Sequence, residues 1–355
     1  MLTIMIPTMN RSDFIDRLLA YYADTGFKHW ISIGDSSDQF HVDQTKKSIR
    51  KFKDKLKIIY NEYPGLDGYD CLREIIKTVS SLFAVLLPDD DFLVPNGLEK
   101  CIKFLEHHPD FASVHGKAVM LVLRATGPYG EINKVWDYNL PILGQTLASE
   151  RIKEHLWSYS VSLFSVHRKE LWVKMYKELG ISDKSFKAEI IPNCLSAVFG
   201  KSAQIDDLYL IRHVHDRRYG LPDMFDWVTD DNWLSSYKEF DSILTEGLSK
   251  NDGISIPEAH RIMKQAFWGY LSMHININWQ ECCVDEDNIK SKLKKFPMVA
   301  DFFLPIFRKI IKLRYSCFPS RRTTLDGILR PTHHYYKDFV PVYKSITMQN
   351  KSDLN

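Results

Sequence analysis

The feature that most constrains the fold is an apolar segment that leads directly into three consecutive carboxylates. Residues 82–87 (LFAVLL) are continuously apolar and branched, as is typical of a central parallel strand covered on both faces. After Pro88 come Asp89, Asp90 and Asp91, which we call the acidic triplet. Open α/β sheets bind their ligands beyond the carboxyl ends of the strands. The segment therefore predicts such a sheet, with an acidic cluster at its ligand-binding edge.

The acidic triplet needs neutralising partners, because adjacent carboxylates repel one another. Carboxylate oxygens suit Mg²⁺ or Mn²⁺, and these ions suit diphosphates. The same residues are also typical of a solvated acidic turn, followed by a helix with Asn96 as its N-cap. The triplet alone leaves both interpretations open.

Strand and helix patterns alternate through the first half of the chain. Apolar strands such as residues 2–6 and 30–34 are separated by helical patterns, which predicts βαβ units and a parallel sheet. Residues 111–115 and 118–123 look like two further strands. After Gly220 the sequence becomes rich in Trp, Phe and Tyr at helical spacing. We expect one domain over residues 1–220 and a mostly helical region over residues 221–355, serving acceptor binding, oligomerisation or membrane-surface contact.

Composition excludes several classes of protein. The formal net charge is +2 over 355 residues, which gives no reason to expect a nucleic-acid partner. The six cysteines include no CxxC pair, so no zinc site or disulfide framework is indicated, and reduced thiols fit a cytosolic protein. The first residues lack a signal-peptide pattern, and no apolar run approaches the roughly 20 residues that span a bilayer. We therefore expect a cytoplasmic protein.

Candidate binding residues follow each of the first four predicted strands. In chain order they are Pro7, Thr8, Asn10 and Arg11; Asp35 and Ser36; Gly68 and Arg73; and the acidic triplet. A nucleoside diphosphate requires such a set, namely an acid for the base or ribose, amides and cations for the phosphates, and a bridging metal. The sequence therefore predicts a nucleotide site at the shared end of these strands.

Taken in order, these motifs resemble those of family 2 glycosyltransferases, which have the GT-A fold. LTIMIPTMNR resembles the first strand and loop of that family, and ISIGDSSD resembles its second strand, whose Asp binds the nucleotide base. Gly68 and Arg73 match the glycine and arginine that precede the metal site. The run LPDDD resembles the DXD signature, with Pro88 in place of the usual first Asp. The resemblance covers residues 1–215.

The resemblance implies a Rossmann-like, mostly parallel sheet flanked by helices, followed by a helical C-terminal region. It implies a hexosyltransferase-type enzyme that moves a sugar, with inversion, from a nucleotide diphosphate donor to a glycan or lipid-linked acceptor in surface polysaccharide biosynthesis. Asp35 would bind the base, Arg73 the ribose-diphosphate, and Asp89 and Asp91 a Mn²⁺ or Mg²⁺ ion. Asp90 would lie against the nucleotide.

The expected general base is Glu189, because the resemblance places an acid near the start of a helix that precedes a Gly-Lys turn, a strand and an Arg. The family usually has Glu-Asp at this point, whereas Ile190 follows Glu189 here. Asp183 is the second candidate. Glu189 is also explained as a first-turn acid that complements the helix dipole.

Two histidines close the last predicted strand. His213 and His215 share one face of that strand by alternation. We take His213 as a further metal candidate, since family members sometimes place a metal-binding His in this region. Two histidines on a strand also fit a structural role.

Residues 302–322 mix bulky apolar residues with a basic cluster. This pattern fits a peripheral contact with the inner face of the membrane. It also fits a core helix with a basic outer face, which Pro305 would interrupt.

Two other functions stay open. A nucleotidyltransferase would carry a Gly-rich basic loop after its first strand, which this chain lacks. A non-catalytic nucleotide- or glycan-binding protein that keeps the GT-A fold would explain both Pro88 and the missing acid after Glu189.

Overall fold

The strands of this computed structural model form one sheet within the described residues, which are 1–177, 179–181, 183–215, 217, 220–283 and 323–347. The strands are β1 (Leu2–Thr8), β2 (Trp30–Asp35), β3 (Lys57–Glu62), β4 (Phe83–Leu86), β5 (Phe92–Leu93), β6 (Phe111–Leu123), β7 (Ile132–Tyr138), β8 (Val166–Arg168) and β9 (Lys201–Val214). Their order across the sheet is β3-β2-β1-β4-β8-β6-β9-β5, and β7 pairs with β6.

Helices connect these strands and continue after the last long strand. They are α1 (Ser12–Asp24), α2 (Gln39–Phe52), α3 (Gly68–Thr78), α4 (Pro95–His107), α5 (Ala148–Trp157), α6 (Lys169–Met175), α7 (Ile191–Phe199), α8 (Met224–Val228), α9 (Trp233–Asp252), α10 (Ile256–Cys283), α11 (Leu325–Ile328) and α12 (Tyr336–Thr347). A short 3-10 turn spans Ser162–Phe164, and a π-helical turn spans Phe186–Ile190.

The predicted α/β class, with a mostly parallel sheet flanked by helices, is confirmed. The pairs β1-β2, β1-β4, β2-β3 and β6-β9 are parallel, while β8, β5 and β7 run antiparallel to their neighbours. Parallel pairing brings the carboxyl ends of β1, β2, β3, β4, β6 and β9 to one edge, which we call the carboxyl edge.

Two apolar layers cover the sheet. Leu2, Ile4 and Ile6 of β1 face the layer that includes α1 and α4, while Met5 faces the layer that includes α3, α7 and α10. This alternation buries β1 on both sides, as expected of a central strand. The burial fixes the register of β1 and so the position of the residues that follow it.

Two details of the sequence prediction are wrong. The two expected strands over residues 111–123 form one continuous strand that runs through Gly116. A Cβ at Gly116 would lie 2.4 Å from the Asp207 carbonyl oxygen, so the missing side chain allows β9 to pack closely against this strand. Asn96 is not the N-cap of α4, which begins at Pro95 after Val94. Proline suits this first position because its missing N–H would have no helical partner.

Helices are the only regular secondary structure in the described residues after β9. Helices α9 and α10 pack on each other and on α7 and α5, while α12 packs on α1. None of the helices in the described ranges is both long and apolar enough to cross a membrane. The expected membrane contact at 302–322 lies outside the described residues.

Candidate functional site at the carboxyl edge

The loops after β1 and β2 are joined into one wall. Asn10 has the left-handed φ of 56°, which asparagine tolerates better than most residues. Its N–H donates to Ser37 Oγ at 2.7 Å, and its Oδ1 accepts from the Asp38 N–H at 2.9 Å. The Ser36 N–H donates to the Thr8 carbonyl oxygen at 3.0 Å. These three hydrogen bonds hold the loop after β1, which the sequence predicts to bind nucleotide, against the loop after β2.

Asp35 lies at the base of this wall, beside Thr8 in the strand register. Pro7 precedes Thr8 within β1 and is paired in register with Gly34. The Asp35 carboxylate is 1% exposed. Its Oδ1 accepts from the Ser37 N–H and its Oδ2 from the Tyr60 hydroxyl, both at 2.9 Å. Each oxygen keeps a second lone pair for a ligand donor.

The acidic triplet is buried, so the alternative of a solvated turn is wrong. Its residues are 3%, 4% and 1% exposed in chain order. Asp89 accepts from the Thr8 hydroxyl at 2.6 Å and from Arg11 Nη1 at 2.9 Å. Burial at this depth requires charge neutralisation, because an unpaired ion is costly away from water.

The other two carboxylates are bound to the end of β9 and the residue that follows it. Asp90 Oδ2 lies 3.2 Å from Arg11 Nη1 and 2.9 Å from His215 Nε2. Asp91 accepts from the His213 backbone N–H at 2.8 Å and from Arg212 Nε at 3.0 Å. The triplet therefore joins the loop after β4 to β9 and to the start of α1.

Arg17 completes this charge cluster and was not predicted. It is fully buried, and its Nη2 donates to the Asp90 carbonyl oxygen at 2.5 Å. Its guanidinium lies 4.5 Å from the Phe92 ring centre, a distance typical of cation–π contact. A signal existed in the sequence: Arg17 shares the apolar face of α1 with Phe14, Leu18 and Tyr21. A charged residue on such a face requires a buried partner.

Burial and mutual repulsion shift the ionisation of the cluster. Burial, then the charge of Asp90, raises the pKa of Asp89 to about 6 against the opposing effect of Arg11. Burial likewise raises the pKa of Asp91 to about 6, opposed by Arg212. Burial lowers the pKa of Arg17 to about 10, although the three acids favour its charged form.

The residues present do not fit the expected cation on Asp89 and Asp91. Arg11 Nη1 contacts Asp89 and Asp90 at once, where a shared cation would lie, and each Asp91 oxygen already accepts one hydrogen bond, one of them from the cationic Arg212. Among the described residues, no group of three or more His, Cys, Asp or Glu side chains is arranged to hold a metal ion. Binding at this position requires displacement of an arginine.

His213 contacts the triplet through its backbone. Its backbone N–H binds Asp91, and its ring Nδ1 accepts from Arg17 Nη1 at 3.3 Å. His215, from the same predicted pair, contacts the Asp90 carboxylate instead. Its ring also stacks on Phe14, 4.9 Å between ring centres.

Gly68 is the first residue of α3, on another part of the carboxyl edge, and Arg73 lies in the second turn of that helix. Asp67 is the N-cap of this helix, and Arg73 Nη1 donates to Asp70 Oδ1 at 3.0 Å. Lys187 Nζ lies 2.8 Å from Asp70 Oδ2 and 3.2 Å from Asp67 Oδ2. This ion network, which includes the unpredicted Lys187, ties α3 to the π-helical turn that carries Glu189.

Glu189 lies in the π-helical turn just before α7. Such turns are frequent at functional sites. The Tyr159 hydroxyl donates to Glu189 Oε1 at 3.1 Å. The charge of Glu189 contributes to the raised pKa of Tyr270 in α10, after burial as the larger cause. Glu189 is therefore a half-buried acid in an aromatic setting.

Asp183, the second candidate base, has structural partners. Its Oδ2 accepts from the Trp227 indole N–H at 2.9 Å, and its Oδ1 accepts from the Phe186 N–H at 2.8 Å. The side chain is buried. These bonds join the start of the π-helical turn to α8.

The chain is similar to several solved structures. S. aureus TarS has 15% identity and a TM-score of 0.47, and the match covers 81% of this chain and 46% of that one, so this chain spans less than half of that protein's length. TarS 1-349 has 14% identity and a TM-score of 0.49, with coverage of 97% and 89%. The mannosyltransferase PcManGT from Pyrobaculum calidifontis, in complex with GDP-Man and Mn²⁺, has 11% identity and a TM-score of 0.45, with coverage of 84% and 80%. No model of a protein family and no curated protein matches the chain.

Proposed function

We propose that this protein is a glycosyltransferase that uses a nucleotide diphosphate sugar as donor. One observation carries the proposal: Thr8 binds Asp89 and is paired in register with Asp35, so predicted base-binding and diphosphate-binding residues lie side by side at the carboxyl edge. This is the edge at which open α/β sheets bind ligands. Helices α1, α2 and α3 also begin here, and helix N-termini attract phosphate.

The donor base would lie on the wall formed by the loops after β1 and β2. Asp35 would accept a base or ribose donor through the lone pairs that Ser37 and Tyr60 leave available. The diphosphate would extend toward Arg11 and the acidic triplet. Arg73, in the second turn of α3, would contact the ribose-diphosphate.

Glu189 is our choice for the general base. It would accept the proton of the acceptor hydroxyl as that oxygen attacks the anomeric carbon, while the bond between sugar and phosphate breaks and the nucleoside diphosphate leaves. Attack opposite the leaving group inverts the anomeric centre. The Tyr159 hydroxyl holds the Glu189 carboxylate in place. We assign Asp183 a structural role, because Trp227 and the Phe186 N–H occupy its carboxylate.

The acceptor would reach Glu189 from the side of the C-terminal helices. Tyr270 of α10 lies near enough to Glu189 for that acid to affect its pKa. Residues 221–355 would therefore complete the acceptor side, and residues 1–220 would form the donor domain. A glycan or lipid-linked acceptor in surface polysaccharide synthesis remains our expectation from the resemblance. The metal dependence implied by that resemblance also stays a prediction, one that the residues present do not favour.

Calorimetric titration with UDP, GDP, CDP and dTDP tests the donor site. Each nucleotide is titrated into wild type, with millimolar Mn²⁺ and separately with EDTA, and into Asp35→Asn. Asp54→Asn is the matched control, because Asp54 is exposed in the turn after α2, away from the carboxyl edge. We expect one nucleotide to bind wild type and the control, and to bind Asp35→Asn at least about tenfold more weakly.

Turnover separates the enzyme from the non-catalytic alternative. The sugar donor with the matching base is incubated with wild type and Glu189→Gln, and release of the nucleoside diphosphate is followed. Release by wild type and its loss in Glu189→Gln would support the transferase. Binding without release would favour the binding protein, and a folded wild type that binds none of the four nucleotides would refute the donor site.

A further inference from the structure

Arg11 occupies the position at the acidic triplet where a bridging cation is expected. A single guanidinium nitrogen, Nη1, lies 2.9 Å from Asp89 Oδ1 and 3.2 Å from Asp90 Oδ2. On its other side, Nη2 donates to the carbonyl oxygen of Arg217. The Arg11 side chain is 15% exposed. It is therefore held from both sides and still reaches the surface.

Two more arginines contact the triplet, one at a carboxylate and one at the backbone. Arg212 binds Asp91 at 3.0 Å, and Arg17 donates to the Asp90 backbone at 2.5 Å. Three arginines therefore lie around the three carboxylates. A divalent ion on Asp89 and Asp90 would displace Arg11, and one on Asp91 would displace Arg212.

Arg11 retains donors for a ligand. A guanidinium has five N–H groups, and the contacts to Asp89, Asp90 and the Arg217 carbonyl account for three of them. Within the part of the chain that the structure describes, the Nε–H and the second Nη2–H have no protein acceptor. A planar guanidinium binds phosphate oxygens through such donors.

We propose that Arg11 is the cation that bridges the acidic triplet to the donor diphosphate, and that nucleotide diphosphates bind here without a divalent metal ion. The triplet positions this arginine and offsets its charge. The inference rests on the proposed donor site, and it departs from the metal dependence that the sequence resemblance implies.

The first test uses wild type alone. The nucleotide that binds best is titrated in EDTA and in millimolar Mn²⁺, and binding of Mn²⁺ without nucleotide is followed by electron paramagnetic resonance. We expect dissociation constants within about threefold of each other and no stoichiometric Mn²⁺ binding by the free protein. Nucleotide binding only in Mn²⁺ would overturn the inference and leave the proposed function intact. Binding of no nucleotide would overturn both.

The second test removes the bridging cation. In EDTA, Arg11→Gln should bind the nucleotide at least about tenfold more weakly, and Mn²⁺ should restore part of the loss because Asp89 and Asp90 are released as ligands. Arg50→Gln is the matched control, since Arg50 is an exposed arginine in the last turn of α2. Circular dichroism verifies folding. Unchanged binding by folded Arg11→Gln in EDTA would overturn the inference.

Discussion

Replacing Arg212 by methionine should destabilise the protein, and more at about pH 8 than at about pH 5. The ion pair that it removes is among the most buried in the described part of the chain: the side chains of Arg212 and Asp91 are 11% and 1% exposed, with Nε and Oδ2 3.0 Å apart. Methionine fills much of the volume but leaves one Asp91 oxygen without its cation. Removing one partner of a buried pair costs about 3–5 kcal/mol.

The pH dependence follows from the pKa of Asp91. Burial already raises it to about 6 with Arg212 in place, against about 3.9 in an unfolded chain. Because the folded pKa is the higher one, stability falls as pH rises through it, and loss of Arg212 extends that fall to higher pH. At low pH the protonated acid no longer needs its partner. The difference between wild type and variant should therefore widen toward high pH.

Urea unfolding, followed by far-UV circular dichroism at several pH values, measures this difference. Lys77→Met is the control, because Lys77 is 64% exposed and pairs with Glu74; it should cost less than about 1 kcal/mol. The double variant Asp91→Asn, Arg212→Met should recover part of the loss, since neither partner is left charged and alone. A cost for Arg212→Met below about 1 kcal/mol at high pH would refute the neutralisation argument.

Three further substitutions test other parts of the structure. Tyr159→Phe should lower kcat about tenfold at unchanged KM, because Glu189 loses its orienting donor, as measured by steady-state kinetics. Burial lowers the pKa of His155 to about 4, so preferential protonation of the unfolded chain should cost the protein about 3 kcal/mol of stability as pH falls from about 6.5 to 4. The unfolding free energy of His155→Leu, measured in urea, should therefore depend less on pH. Gly97→Ala should lower the melting temperature, because its Cβ would lie 2.4 Å from the Leu208 carbonyl oxygen.

Each of these three predictions has a contradicting result. A raised KM with unchanged kcat for Tyr159→Phe would mean that the hydroxyl acts in binding. A His155→Leu profile parallel to wild type below pH 6.5 would place the acid sensitivity elsewhere. Gly65→Asn is the comparison for Gly97→Ala, because a Cβ at Gly65 would meet nothing within 4 Å. Equal melting temperatures for the two variants would contradict the argument that close packing of α4 on β9 requires a glycine at position 97.

The strand ends were predictable from sequence because their signals are local. The burial of β1 on both faces and the turn residues after each strand depend on neighbouring positions in the chain. Asp35 and Asp89 were placed at one edge by the general geometry of parallel sheets alone. The same reasoning could not decide which atoms meet, because side-chain contacts depend on the relative positions of separate elements.

The side-chain partners of the acidic triplet could not be predicted from the sequence, because they lie on distant parts of the chain. His215 and Asp90 are 125 residues apart, and Arg212 and Asp91 are 121 apart. Only the parallel pairing of β6 with β9, and the antiparallel pairing of β5 with β9, bring these residues together. Which of His213 and His215 places its ring against an acid of the triplet depends on this register. The alternation of side chains along one strand puts both histidines on the same face and does not determine the register.

The arginines at the carboxyl edge link stability to ligand binding. Arg11 and Arg212 neutralise buried acids, so a substitution in the triplet is expected to change the stability of the fold as well as the candidate site. Loss of activity in Asp89→Ala or Asp91→Ala would therefore not identify a metal ligand, because each substitution also removes a carboxylate partner of Arg11 or Arg212. To distinguish an acid that binds a metal from one that pairs with an arginine, metal binding and the free energy of unfolding must both be measured on each variant.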